Sequence, residues 1–337
     1  MDKLNFYLGL QGNKEPEEYI RIAKTCEKKG FDRIYVYDDL LYYSSFPILT
    51  TIAQHTKKIK IASCLVNGFY RHPAVIASNY AYLSKVSNNR AMLGMGRGAF
   101  YDLLKLNGEE EYTRKGYEEA IQLVKHFISN KKGEFKGEFF NATEKAYLKV
   151  PAPENPYIFS ATWNSDMAYI AGKHSRELQV AEVWNENYLS KLWDAFVKGN
   201  KESKSGFDPK LSIGGMMCLG KTEKEAVANA KQTVVVYMPY LQTILKSHDI
   251  DFEQDYIKKI FELSKAGRIS EAANLLPDDI TKALALVGTP DQVAEKINRL
   301  RAKFPISGLL ISPPYGTEKD IVSNIKMINK ELFKRVK

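Results

Sequence analysis

Along most of the chain a short apolar run gives way to a loop and then to apolar positions spaced three or four residues apart. These are the periodicities of a buried strand and of an amphipathic helix. The pattern predicts eight strands, at residues 4–10, 33–37, 59–66, 91–95, 157–160, 178–183, 211–219 and 308–312. Helices are predicted at 17–29, 46–55, 74–86, 113–129, 166–173, 187–201, 222–240 and 318–334. A further helix is predicted at 290–303, with Thr289 as its N-cap and Pro290 at its first position. Alternation of strand and helix implies parallel strands joined by helical crossovers. Eight such units suit a closed eight-stranded barrel, the (β/α)8 TIM barrel, better than an open sheet. The expected organisation is therefore an α/β fold with a single domain over residues 1–337. Two insertions interrupt it. Residues 133–149, with Gly133 and Gly137 between aromatic stretches, read as a hairpin before strand five. Residues 241–286 read as a helical insertion after strand seven, broken at Gly267 and Pro277 and expected to lie over one end of the barrel.

Composition narrows the setting. With 44% hydrophobic and 26% charged residues, the chain can bury a full core and is neither disordered nor collagen-like. Cys26, Cys64 and Cys218 are far apart and lack CxxC or Cys/His ligand spacing, which argues against a disulfide framework and against zinc. No leader pattern opens the sequence, and no apolar stretch approaches the roughly 18 residues of a membrane span. A soluble, reducing, cytoplasmic setting without a membrane partner is expected. The formal charge of +9 does not point to nucleic acid, because basic pairs such as Lys57-Lys58 and Lys131-Lys132 are scattered along helical segments and read as solvated faces. Its long-range field favours anionic small molecules, phosphorylated cofactors among them.

In such a barrel the reacting groups sit on loops at the C-terminal ends of the strands. The loop Gly94-Met95-Gly96-Arg97-Gly98-Ala99 fits GxGxx(G/A), but it closes the fourth strand, whereas a dinucleotide fingerprint opens the first strand–helix unit. It is either a glycine loop that brings backbone amides close to a flat ring or phosphate, or a tight turn that needs glycine. Asp38 and Asp39 follow Tyr35-Val36-Tyr37. Because side chains alternate on a strand, one of them at most points into the mouth. That acid would hydrogen-bond a ring or handle a substrate proton; alternatively, the pair caps the following turn. His72, between Arg71 and Pro73, suits the N-terminus of a helix better than catalysis. The other histidines lack HExxH spacing, and no Ser/His/Asp or Cys/His constellation is present in the pattern. Tyr112, Trp163, Trp184 and Tyr315 either wall a planar ligand or belong to the core.

Four stretches taken in order carry a resemblance: residues 30–39 (GFDRIYVYDD), 56–67 (TKKIKIASCLVN), 71–74 (RHPA) and 89–98 (NRAMLGMGRG). Together with Leu286-Val287-Gly288-Thr289-Pro290-Asp291-Gln292-Val293, they resemble the bacterial-luciferase-like superfamily. The chain is most similar to its coenzyme F420-dependent branch, of the methylenetetrahydromethanopterin reductase type. The resemblance implies an eight-stranded α/β barrel, often a homodimer, holding a deazaflavin or FMN at its C-terminal mouth. In that branch an acid followed by histidine ends strand two; Asp38 matches the acid and Asp39 replaces the histidine, so both are candidate catalytic residues. Gly96 and Gly98 carry over as cofactor-contacting glycines, and Ser160, Ala161 and Thr162 fall where the strand-five loop meets the cofactor side chain. A non-proline cis peptide is implied at Cys64–Leu65, with Leu65 and Val66 against the ring and Asn67 at its polar edge. Ala99 stands where some relatives carry an acid, which argues against a close copy of the sugar-phosphate dehydrogenases. The implied activity is hydride transfer between C5 of coenzyme F420 and a small organic substrate. The alternatives are an FMN-dependent monooxygenase and a barrel that binds flavin or deazaflavin without turnover.

Overall fold

The computed structural model describes residues 3–98, 114–204 and 206–336. Ala99 and Tyr112, considered above, lie outside them. In chain order the elements are β1 (Asn5–Leu10), α1 (Pro16–Lys28), β2 (Arg33–Tyr37), α2 (Ser45–His55), β3 (Lys60–Val66), α3 (Pro73–Val86), β4 (Ala91–Met95) and α4 (Arg114–Ile128). A two-stranded hairpin follows, β5 (Phe135–Lys136) and β6 (Asn141–Ala142), and then β7 (Ile158–Ala161), α5 (Ser165–His174), β8 (Glu177–Ala181), α6 (Glu186–Ser203), β9 (Lys210–Leu219) and α7 (Glu223–Tyr237). After a 3-10 turn, Met238–Tyr240, come α8 (Gln242–Ser247), α9 (Asp255–Lys265), α10 (Ile269–Leu275), α11 (Asp278–Leu284), β10 (Leu286–Gly288), α12 (Pro290–Lys303), β11 (Ile306–Gly316) and α13 (Ile321–Glu331).

The sheet runs β9-β11-β1-β2-β3-β4-β7-β8, and a β8–β9 pairing closes it. Its paired registers are parallel. This is the eight-stranded TIM barrel that the alternation implied, with the hairpin and the α8–α11 helices where insertions were expected. Two details differ. Leu286–Gly288 adds a short ninth strand on β9. β11 runs past the predicted end at residue 312, through a cis Pro313–Pro314 bond, where its register with β9 shifts between Ser312 and Tyr315. The helix predicted to reach Tyr240 stops at Tyr237 because Pro239 has no N–H to continue the ladder.

The packing divides into two units. The first comprises Gly9–Gln179 and Trp193–Lys210. Its fully buried side chains include Leu10, Ile34, Tyr35, Ile61 and Phe159. At the strand starts Arg33 meets Glu177 through two hydrogen bonds, of 3.1 and 3.0 Å, with both side chains at most 4% exposed. Tyr157 donates to the same carboxylate at 2.7 Å. The inserted hairpin is fastened by Glu119, whose carboxylate accepts from the backbone N–H groups of Glu138, Phe139 and Phe140.

The second unit comprises Met1–Leu8, Val180–Leu192 and Leu211–Lys337. Immediately after β8, Glu182 adopts φ +59°, an uncommon conformation for a residue with a side chain. Both carboxyl oxygens accept from Met216 N–H, at 2.9 and 3.0 Å. The carboxyl lies on Gly215, where a Cβ would come within 2.3 Å of it. Burial pushes the Glu182 acid up to about 8. α12 starts on Thr289, the N-cap its sequence predicted, which forms a complete capping box with Gln292. Among the described residues no helix is long and apolar enough to cross a membrane, and no group of His, Cys, Asp and Glu is arranged to hold a metal.

Candidate active site at the strand ends

In the first unit, the C-terminal ends of β1, β2, β3, β4 and β7 are joined by hydrogen bonds and close packing. Gln11 follows β1. Its Oε1 accepts from Gly12 N–H at 2.8 Å, which turns its amide N–H toward Asp39 Oδ2, also at 2.8 Å. The Gln11 carbonyl in turn accepts from Tyr19 OH at 2.6 Å. Gly12 O accepts from Tyr43 N–H at 2.9 Å, so the loops after β1 and β2 are tied together.

The two neighbouring acids are held differently. Asp38 Oδ1 accepts from Ser45 N–H at 3.0 Å and Ser45 Oγ at 2.7 Å, which caps the first turn of α2 from outside the helix. Its Oδ2 pairs with Arg71 Nη1 at 2.6 Å, while Arg71 Nη2 donates to Ser44 Oγ at 3.2 Å. Asp38 thus does the work of the turn-cap reading. Asp39 has the Gln11 contact instead. Burial raises its pKa, the charge of Asp38 adds to this, and the Gln11 hydrogen bond opposes it. Its acid is therefore held nearer to neutrality than a solvated aspartate.

At the end of β3 the Cys64–Leu65 peptide is cis, and the register with β4 shifts between Ser63 and Val66. Cys64 O accepts from Asp38 N–H at 2.9 Å. The Cys64 thiol is buried, and burial pushes its pKa up, with Asp39 adding to the effect; it is not a thiolate. Leu65 is half-buried and Val66 fully buried, so Leu65 is the one with accessible surface. Asn67 is 1% exposed. It donates to Arg97 O at 2.7 Å and accepts from Phe69 N–H at 2.7 Å, bracing the loops after β3 and β4 against each other. A Cβ on Gly96 would stand 2.6 Å from Leu65 Cδ1 and 3.3 Å from Ala161 O, so a side chain there would force Leu65 to move and press on the β7 carbonyl. Gly98 has φ +73°, which favours glycine.

Ser160 points into the packing. It is fully buried, accepts from Tyr117 OH at 2.6 Å and lies 2.8 Å from Ser175 Oγ. Tyr117 OH also reaches Met95 O at 3.3 Å, which ties β4 to β7. Ala161 and Thr162 are half-buried, and Thr162 Oγ1 accepts from Asn164 N–H at 3.0 Å. His72 is the N-cap of α3, accepting from Ala74 N–H. Trp184 and Tyr315 are 4% exposed and pack in the second unit. Gln11, Arg71 and Tyr117 carried no assigned role in the sequence. Gln11 had only its place as first residue after a strand, and Arg71 only its place beside His72.

The chain belongs to the luciferase-like monooxygenase family, whose sequence profile matches residues 6–305. It is 26% identical, over the full length of both chains, to 5,10-methylenetetrahydromethanopterin reductase of Methanopyrus kandleri. To the F420-dependent glucose-6-phosphate dehydrogenase of Amycolatopsis mediterranei it is 23% identical over 84% of each chain. The solved coenzyme F420 dependent tetrahydromethanopterin reductase from Methanopyrus kandleri shares the fold with a TM-score of 0.86 over 100% of both chains, at 23% identity.

Proposed function

We propose that this luciferase-like oxidoreductase uses coenzyme F420 and passes a hydride between the deazaflavin and a small organic substrate. The observation that carries the reading is the linked set of strand ends: a half-buried Leu65 on the β3 bulge, Gly96 clamped between Leu65 and Ala161, and an acid fixed by Gln11. The full-length likeness to F420-dependent relatives supports F420 over FMN. Leu65, the backbone at Gly96 and Gly98, and Ala161 with Thr162 would hold the cofactor. A side chain at 96 would fill the space between these strands, so the residues present suit a flat ring. When bound, the deazaflavin supplies a hydride at C5.

Asp39 manages the proton. Since Oδ2 accepts the Gln11 N–H, the proton of the neutral acid resides on Oδ1. A substrate C=X group that gains hydride at carbon needs a proton at X, and Asp39 donates it; in the reverse direction the carboxylate takes it back. Gln11 fixes the orientation of the acid, and Asp38 raises its proton affinity while keeping α2 and Arg71 in place. The family resemblance adds a homodimer to this reading, which light scattering in solution checks.

The test is anaerobic turnover of a panel of ketones, aldehydes and imines with reduced F420 or reduced FMN. Substrate-dependent oxidation of reduced F420, with FMN inactive, is expected. Oxygen-dependent product formation with reduced FMN and no turnover with F420 would move the chain to the monooxygenase reading.

A further inference from the structure

In the second unit, three polar groups on three segments are poorly supplied with hydrogen-bond partners. Trp184, between β8 and α6, is 4% exposed, and its Nε1–H has no partner among the described residues. His248 follows α8 as its C-cap, and its Nε2 is likewise a buried atom without a partner. Asn185 Nδ2 donates to Ser247 O at 2.9 Å, which seats the Trp184–Asn185 turn against the end of α8. From α12, Lys296 places Nζ 5.3 Å from the centroid of the Trp184 ring and donates a long hydrogen bond to Lys282 O, at 3.4 Å.

We propose that Trp184, Lys296 and His248 form a binding site for a small oxyanion, a carboxylate or phosphate group. An indole N–H and an ammonium are donors only, and an imidazole becomes a second ring donor when protonated. One oxyanion offers these groups several acceptor atoms and also balances the lysine charge. A water molecule would satisfy the indole and leave the charge unopposed. The electrostatics agree: burial pushes Lys296 down to about 8, with Arg299 adding to the effect. Burial and the charge of Lys296 lower His248, while Asp249 opposes them. Glu186 does not neutralise the pair, because it is engaged by Arg299 and Lys303. Affinity should be highest below the Lys296 pKa and fall as pH rises through it.

The test is an NMR titration of the full-length apoprotein. The chain has three tryptophans, so a 15N-labelled sample gives three indole N–H signals. Trp163→Phe and Trp193→Phe assign Trp184 by elimination without altering the site. Inorganic phosphate and acetate are added separately in a buffer free of other oxyanions. A saturable shift of the Trp184 signal is expected with at least one of them, and the tighter arm says whether phosphate or carboxylate is the preferred group. Lys296→Met, which keeps the stem and removes the charge, should raise the midpoint at least tenfold. A Trp184 signal that stays fixed with both anions up to tens of millimolar overturns the proposal, as does an unchanged midpoint in Lys296→Met. This result is independent of whether F420 binds.

Discussion

Glu182→Gln should make the protein more stable above about pH 4.5, by an amount that grows toward pH 8. The acid is buried on Gly215 with Met216 N–H as its hydrogen-bond donor, and burial raises it from the usual 4.5 to about 8. In the unfolded chain it ionises near the usual value, so between these two pH values folding must take up a proton. Stability is therefore fully present below 4.5 and is lost as pH rises toward 8. At about 1.4 kcal/mol per pH unit, the window is worth on the order of 5 kcal/mol as an upper bound. Relaxation around the charge reduces the net effect to about 2–3 kcal/mol. Glutamine keeps an oxygen for Met216 N–H and never ionises. Differential scanning calorimetry should show wild type and variant melting together at pH 4.5. By pH 8 the variant should melt higher by roughly 4–8 °C, using the Tm sensitivity of large domains. A Tm difference that is constant from pH 4.5 to pH 8, or a variant less stable at pH 8, would refute the reasoning.

The other expectations divide the two neighbouring acids and test the strand-start ion pair. Asp39→Asn should lower hydride transfer by about 10²–10⁴-fold, the usual worth of a positioned acid, and abolish the loss of carbonyl-reducing activity expected of wild type as pH rises through the raised Asp39 pKa; an unchanged pH profile would remove Asp39 from proton transfer. Asp38→Asn should instead cost about 1–3 kcal/mol of stability, since it weakens the contacts to Ser45 and Arg71, and chemical denaturation that shows no change would contradict the capping role. Arg33→Met leaves the Glu177 carboxylate buried without its guanidinium partner, though still hydrogen-bonded by Tyr157, and breaking such a pair costs about 3–5 kcal/mol. A Tm drop under roughly 3 °C would show that the pair is not desolvated as its geometry indicates.

The barrel was readable in the sequence because its buried strands are apolar runs and its helices carry separate amphipathic periods. The predicted strand 91–95 and helix 290–303 coincide with Ala91–Met95 and Pro290–Lys303. β10 was not readable, because three residues ending in a glycine have no period to detect. At the candidate site, strand alternation indicated that at most one of Asp38 and Asp39 faces the mouth, but not which. That depends on Ser45 and Arg71, partners 7 and 33 residues away in sequence, and on Gln11, 28 residues before Asp39. The role of Gln11 arises from a backbone N–H that turns its amide, which no motif records. Resemblance supplied Gly96, while its reason, the contact with Leu65 and Ala161, is visible only in three dimensions.

The central claim is that the ends of β3, β4 and β7 hold a deazaflavin ring. It is tested most directly by fluorescence titration of wild type and Gly96→Val with F420, with FMN titrated in parallel. A branched side chain at 96 must displace Leu65 or the β7 carbonyl, so F420 affinity should fall at least tenfold, about 1.4 kcal/mol, in a variant that remains folded by circular dichroism. Wild type should bind F420 more tightly than FMN. Equal F420 affinity in a folded Gly96→Val variant, or a wild type that binds FMN tightly and F420 not at all, would contradict the account.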